Sequence, residues 1–446
     1  MKFISYSIST LLLLSLCQWS LAKVSEQQAS QLGKNLTPIG AIKQGNEAGS
    51  IPAYKGGLAQ DKQANPYEDI YAHEAPLFVI DQNNLAQHKQ HLTPGQLAMF
   101  AKYPNSYKMV IYPSHRTANV PKEVLANAKR NATQAQLVAG GNGLKQFDSN
   151  IPFAIPNSGV EVIWNHQTRY RGGNSHLSSA SVIVEPDGSF TTTKSSTKFA
   201  FPASLPGGVH PEKDKNINFY ALDYIKSPAR LTGDLGLIHE TIDQVSQPRK
   251  AWIYNAGQRR VRRAPQVAYD APIHEGIVTL DQVDMYNGSP DRFDWKLVGK
   301  KEIYIPYNSY KIIDQNSKYA DIVAPGHINQ DYARYELHRV WHVQGTLKEG
   351  ARHIYAKRDL FVDEDSWQVA VADHYDERGQ MWRLSEGHSM QFVNANTPWY
   401  ASTTSYDLFS GRYQANLHGE EKTPFDFDMK MKRKHFSTSA LRRSGR

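Results

Sequence analysis

Cysteine is all but missing from this chain: Cys17 is the single one in 446 residues. It falls in the leading apolar stretch, so removal of that stretch leaves neither a disulfide nor a thiolate-held metal, and stability must come from a packed core. Long hydrophobic runs are missing too. After Leu16 no segment approaches the ~20 apolar residues that a bilayer crossing needs. Catalytic signatures are equally scarce. There is no GxSxG elbow, no HExxH pair and no phosphate-binding loop, and Gly140-Gly141-Asn142-Gly143 fits neither the phosphate-cradling nor the dinucleotide pattern. These absences leave no catalytic residue, metal ligand or cofactor site to nominate, although a triad assembled from distant residues stays open. A repeat of fixed period, as in propellers or solenoids, is also lacking.

What is present opens with Met1-Lys2, an apolar run from Phe3 to Leu16, and Ser20-Leu21-Ala22, the pattern of a secretory signal peptide. Cleavage after Ala22 is expected, giving residues 1–22 as the signal and a periplasmic mature protein, with outer-membrane association as a variant. Acylation at Cys17 is the rival, opposed by Leu16 where a small residue is needed. The formal charge of +8 falls by one when Lys2 leaves. Outside the cytoplasm such an excess suits phospholipid headgroups, and hence peripheral membrane contact, or acidic protein surfaces rather than nucleic acid. A solvated basic face without a partner is the alternative.

Residues 23–150 are polar and punctuated by Gly and Pro. Helices are predicted at Ser25 to Leu36, at Thr93 to Lys102 with Pro94 in first position, and at Pro121 to Val138 before Gly140-Gly141. Leu36 to Gly57 carries too many glycines and prolines for a regular element and reads as a functional cover or a strap over the body. A fourth helix is expected from Ser158 to Tyr170 behind an Asn157-Ser158 cap. Residues 151–446 then read as an antiparallel β meander continuous with the first region. Val182-Val184 turns through Pro186-Asp187-Gly188 into Phe190-Thr193, and Trp252-Tyr254 turns through Asn255-Ala256-Gly257 into Arg259-Arg263. Strands follow at Trp295–Tyr307, Tyr335–Gly345, His353–Val362, Trp367–Tyr375, Met381–Glu386 and Trp399–Leu408. The fold class is mainly β with helices, and about ten strands are too many to stay flat, so the sheet should curl around the helices.

Several clusters invite a site. His338 and His342 stand roughly 13 Å apart if their segment is a strand, too far to share a metal. Asp363-Glu364-Asp365 reads as an exposed hairpin tip, with a cation as the alternative. Asp281, Asp284, Asp291 and Asp294 surround Asn287-Gly288-Ser289-Pro290, where calcium is the alternative to plain turn chemistry. The most unusual feature is GQRRVRRAP. On a strand Arg259 and Arg263 share one face and Arg260 and Arg262 the other, and such forks bind carboxylates or phosphates. Headgroup or partner contact and pairing inside the protein are both open. Trp252, Tyr254, Trp295, Tyr304 and Trp341, with Tyr355, Trp367 and Trp382, fall on strands and either line an apolar pocket or form ordinary core.

The strings LTPIGAIKQGNEAGSIPAYKGG, YPSHRTANVP, NHQTRYRGG, GQRRVRRAPQVAYDAP, NGSPDRFDWKLVGKKEIYIPYN, RYELHRVWHVQGTLKEGARHIYAKRDLFVDEDSW and LRRSGR resemble a proteobacterial family of exported proteins, domain of unknown function 1329, over nearly the whole mature chain. Its wider relatives are the outer-membrane lipoprotein-sorting proteins of LolA/LolB type. The resemblance implies an incomplete antiparallel barrel wrapped around helices, a carrier of a lipid or other hydrophobic molecule, and work beside an inner-membrane transporter of the resistance-nodulation-division (RND) type with an outer-membrane partner. It implies no catalytic residue. An envelope scaffold without ligand, or a periplasmic hydrolase, are the competing readings.

Overall fold

The computed structural model describes residues 24–264 and 269–445. Residues 1–22, expected to be a signal sequence, lie outside the described residues together with both processing alternatives. Among those described, no helix is long and apolar enough to cross a membrane.

The helix starts follow the capping chemistry of the sequence. Thr93 accepts from the Gln96 amide while the Gln96 side chain accepts from the Thr93 amide, which opens the helix Pro94–Lys102. Ser158 caps Gly159–Thr168 in the same sense, accepting from the Glu161 amide. Two expectations were too long. Only Glu26–Ala29 is helical in the first stretch. The third helix, Lys122–Gln134, stops because Ala135 takes an extended backbone, after which Gln136–Val138 pairs with Gly143–Lys145 across the glycine turn. Alternation in Gln136-Leu137-Val138 outweighed helical propensity once a partner strand stood four residues away.

A 16-stranded sheet dominates the molecule, mainly β and not closed into a barrel. Two meanders supply thirteen of its strands. Ser175–Val184, Phe190–Ala200, Ile217–Ser227, Leu235–Thr241, Lys250–Asn255 and Arg260–Arg263 form the first. Phe293–Pro306, Tyr335–Leu347, Lys357–Asp363, Val369–Tyr375, Met381–Phe392, Thr397–Asp407 and Tyr413–Leu417 form the second. The meander is therefore not one run. Tyr413–Leu417 pairs antiparallel with Ser175–Val184, so the last strand of the second meander joins the first strand of the first. The sheet is also mixed: Met109–Tyr112, from the region expected to hold only helices and loops, pairs parallel with Tyr335 and Glu336.

Part of the buried face of the sheet is polar. Its strands carry buried polar side chains that satisfy one another: His342 on Asp359, Glu386 on Gln96 and Tyr335, and Arg383 on Asp407 and Tyr355. The helix Pro94–Lys102 closes on this surface so tightly that a Cβ at Gly95 would meet the Asp373 carboxylate at 2.3 Å.

Candidate binding site

Leu36–Gly57 is a strap. Isolated bridges apart, it forms no strand or helix of its own, and it is held by the body through its carbonyls. Trp367 Nε1 donates to Ile39 O at 3.0 Å, Arg339 donates to Ile42 O and Gln44 O, and Arg116 donates to Lys43 O and Pro52 O. In return the Ile42 amide donates to Glu364. Ile39, Ala41 and Ile51 are buried against the core.

Arg116 and Arg339, which grip the strap, are fixed from below by Glu364 and Asp365 in the turn Asp363-Glu364-Asp365. These residues are buried, which corrects the expectation of an exposed tip. Arg116 makes a two-pronged pair with Asp365, both contacts at 2.7 Å, and Glu364 takes Arg339 and Lys300 at 2.9 and 2.6 Å. A short acidic turn looks exposed because its neutralising partners lie elsewhere in the chain: Arg116 and Asp365 are 249 residues apart. Asp363 has no cationic partner of this kind. Burial and the Asp365 charge push its carboxyl up to about 6.

His338, Asp363 and Asp365 bring one potential ligand atom each within 4.8 Å of one another. The arrangement suits ion pairing better than a metal. Both Asp365 oxygens are taken by Arg116, and His338 Nε2 is spent on Glu336 at 3.2 Å. Burial opposes protonation of His338, yet the Glu336 contact outweighs it and holds the ring above the usual histidine range. His342 belongs to a different contact, Asp359 at 2.7 Å. The aspartates considered for calcium are dispersed into ion pairs: Asp281 with Arg358 and His353, Asp284 with Arg169 and Arg171, and Asp294 with Lys348. Asp291 lies beside Arg292.

Between the strap and the segment Ala118–Leu125 lies a cavity of about 530 Å³. Leu36, Pro38, Ile39, Val120 and Leu125 supply apolar wall, Lys43 and Lys55 stand exposed at the rim, and Asp365 lies at the polar end. Tyr54 fixes one side by donating to Ala118 O at 2.9 Å beneath the Arg116 guanidinium. No local motif announced this pocket. The only signal was a long glycine- and proline-rich segment that had to pack somewhere.

The aromatic residues nominated from sequence lie elsewhere. Trp341 is half-buried, stacked on Trp367 at 6.1 Å under Lys300. Tyr304 packs among Phe78, His88 and His91. Tyr254 is fully buried, and half-buried Trp252 packs against His239. Trp295 donates to Pro290 O and borders a separate cavity of about 390 Å³ with Phe293 and Gln344. The arginines lie together at the end of the sheet. Arg260, Arg262 and Arg263 are exposed on the terminal strand of the sheet, Arg259 is exposed at a φ of 52° just before it, and none forms an ion pair with a described residue. Register settles their sides. Val261 opposes buried Tyr254 and Arg263 opposes Trp252, whereas Arg262 opposes Ile253, which is 48% exposed, so Arg260 and Arg262 face outward. The tail beside them packs through Met431, Phe436 and Leu441 and exposes Lys430, Lys432, Lys434, Arg442 and Arg443.

The family described as protein of unknown function (DUF1329) matches residues 79–442. Protein PA3922 of Pseudomonas aeruginosa, itself described as uncharacterized, is 52% identical over 436 residues, 95% of each chain. Among solved structures, a DUF1329 family protein of Desulfovibrio piger is 14% identical with a TM-score of 0.44, covering 64% of this chain and 95% of its own. A LolA superfamily protein of Nitrosomonas europaea, NE2245, is 12% identical with a TM-score of 0.38, covering 64% and 100%.

Proposed function

The chain belongs to the DUF1329 family, and from that premise we propose that it is an exported binding and carrier protein, not an enzyme, which holds one lipid-like molecule beneath the strap. The observation that carries this reading is the cavity itself. Its volume lies in the range of small-molecule sites, its walls are apolar, its rim is cationic, and one of its sides is a segment held chiefly through main-chain carbonyls. Each methylene buried there contributes about 0.8 kcal/mol before ordering costs. The partners in this reading are an inner-membrane RND-type transporter and an outer-membrane protein, with the arginine edge as the docking face. The filled, polar sheet favours one other reading, an envelope scaffold that needs no ligand.

Leu125→Trp separates the two. Leu125 is half-buried at the cavity wall, so the indole can enter the pocket without displacing core. A solvatochromic apolar dye titrated into the protein is expected to bind the wild type and to bind the variant at least about tenfold more weakly, with little change in thermal midpoint. A wild type that binds no dye supports the scaffold.

The docking face has its own test. Arg260→Ser with Arg262→Ser removes two exposed charges that pair with no described residue and should leave the thermal midpoint in place. Binding to vesicles containing anionic lipid should weaken by about 1 kcal/mol per arginine, and the difference should shrink as salt rises. Unchanged vesicle binding at low salt would remove the arginine edge from the proposal.

A further inference from the structure

A second pocket, of about 270 Å³, opens where the helix Gly159–Thr168 ends against the first meander. Phe147, Tyr170, Phe201, Val209, Ile217 and Ile242 give it a largely apolar wall, and Val209 at its mouth is 57% exposed. One side chain in that lining is out of place. Arg171 is 3% exposed, its guanidinium lies 5.0 and 4.9 Å from the Phe201 and Phe219 rings, and its Nε–H has no hydrogen-bond partner among the described residues.

The charges around Arg171 do not balance. Its Nη1 reaches Asp284 at 3.0 Å and its Nη2 donates to Gln167 O, but Arg169 holds the same Asp284 carboxylate with two contacts of 2.5 and 2.9 Å. Two buried guanidiniums thus share one carboxylate. The neighbouring acid Glu240 is taken by Arg249, and Asp214, also in the pocket lining, is taken by Arg433 and Tyr220. An arginine left with a spare N–H and an unmatched charge in an apolar setting is costly unless an anion joins it. Burial draws its pKa down to about 10 against the pull of Asp284, so the group stays charged at neutral pH.

We propose that this pocket is a binding site for an anionic amphiphile, whose carboxylate or phosphate pairs with Arg171 and whose alkyl part lies along Phe147, Phe201 and Ile242. It is separate from the cavity beneath the strap and does not depend on the carrier reading of that cavity. Lys215, exposed at the rim, adds a second positive charge along the entry path.

Calorimetry with dodecanoate, dodecyl phosphate, dodecanol and inorganic phosphate tests the assignment. The wild type should bind both anionic amphiphiles at least about tenfold more tightly than dodecanol, one charge-assisted hydrogen bond being the difference. Inorganic phosphate at the same concentration should not displace dodecanoate. Arg171→Met is expected to fold, because Asp284 keeps Arg169, and should abolish the preference for the charged headgroup. Val209→Trp, at an exposed position, should weaken all three alkyl probes, while Leu125→Trp in the other cavity should leave the preference intact. Equal affinity for dodecanoate and dodecanol in the wild type, a preference that survives Arg171→Met, or displacement by inorganic phosphate would each overturn the proposal.

Discussion

Arg116→Met should destabilise the protein by about 3–5 kcal/mol, because it strips a buried Asp365 of its two-pronged partner. Both side chains are 2% exposed. The carboxylate left behind loses both of its guanidinium hydrogen bonds, and Asp363, already pushed up to about 6 in part by the Asp365 charge, would be raised further. Glu364 is less affected, since Arg339 and Lys300 remain on it. The strap loses two of its carbonyl anchors at the same time. Urea unfolding should therefore show the stability loss, and limited proteolysis should show new cleavage within Leu36–Gly57. A control lies at Arg130 and Asp148, an ion pair whose side chains are 51% and 55% exposed, where Arg130→Ala should cost under about 1 kcal/mol. A loss at Arg116 no larger than the control would mean that the cluster beneath the strap is not what holds it.

Glu386→Gln should stabilise the protein at pH 8 relative to pH 4 by about 3 kcal/mol, measured as the difference from wild type. Burial pushes the Glu386 carboxyl up to about 7, while Gln96 Nε2 and the Tyr335 hydroxyl pull the other way. A carboxyl raised in the folded state keeps its proton there after the unfolded chain has lost it. Its contribution is full below the unfolded value of about 4 and fades as pH rises toward 7, so wild-type stability declines across that window on account of this group. Glutamine has no such decline. Its Oε1 can accept from Gln96 and its Nε2 can donate to the Tyr335 oxygen, whose own proton then turns from residue 386 to Gln330 Oε1, 3.3 Å away. The difference curve is needed because buried His166 and His388, both pulled down to about 3 by burial, tilt wild-type stability the opposite way. Chemical denaturation at pH 4, 6 and 8 gives the curve. A pH-independent offset between variant and wild type would show that Glu386 is ionised in the fold.

Which parts of this architecture were legible beforehand follows from the range of the forces involved. Caps and turns are local, so Thr93-Pro94, Ser158 and Pro186-Asp187-Gly188 marked their helices and hairpin correctly. Strands such as Phe293–Pro306 and Tyr335–Leu347 were legible within a few residues of their ends from alternation and turn chemistry. Strand order was not. The joining of Tyr413–Leu417 to Ser175–Val184, and of Met109–Tyr112 to Tyr335, depends on edges that no local pattern describes. The candidate site was hidden for the same reason. Arg116, Arg339 and Lys300 meet Glu364 and Asp365 only after the sheet and the strap are in place, so a buried ion cluster looked like an exposed acidic turn. The opposite error was possible at the arginine strand, where internal pairing was an open reading and the arginines lie exposed instead. A strand at the end of a sheet has a free side, and sequence alone does not say which strand is last.

Native mass spectrometry of protein freshly purified from the envelope, followed by solvent extraction of whatever accompanies it, tests the carrier account most directly. The account predicts a fraction of molecules heavier by the mass of one amphiphile, a species that collisional activation releases and that Leu125→Trp lacks. Wild-type protein that flies ligand-free under gentle conditions, and whose extract contains no lipid beyond that of Leu125→Trp, would contradict it.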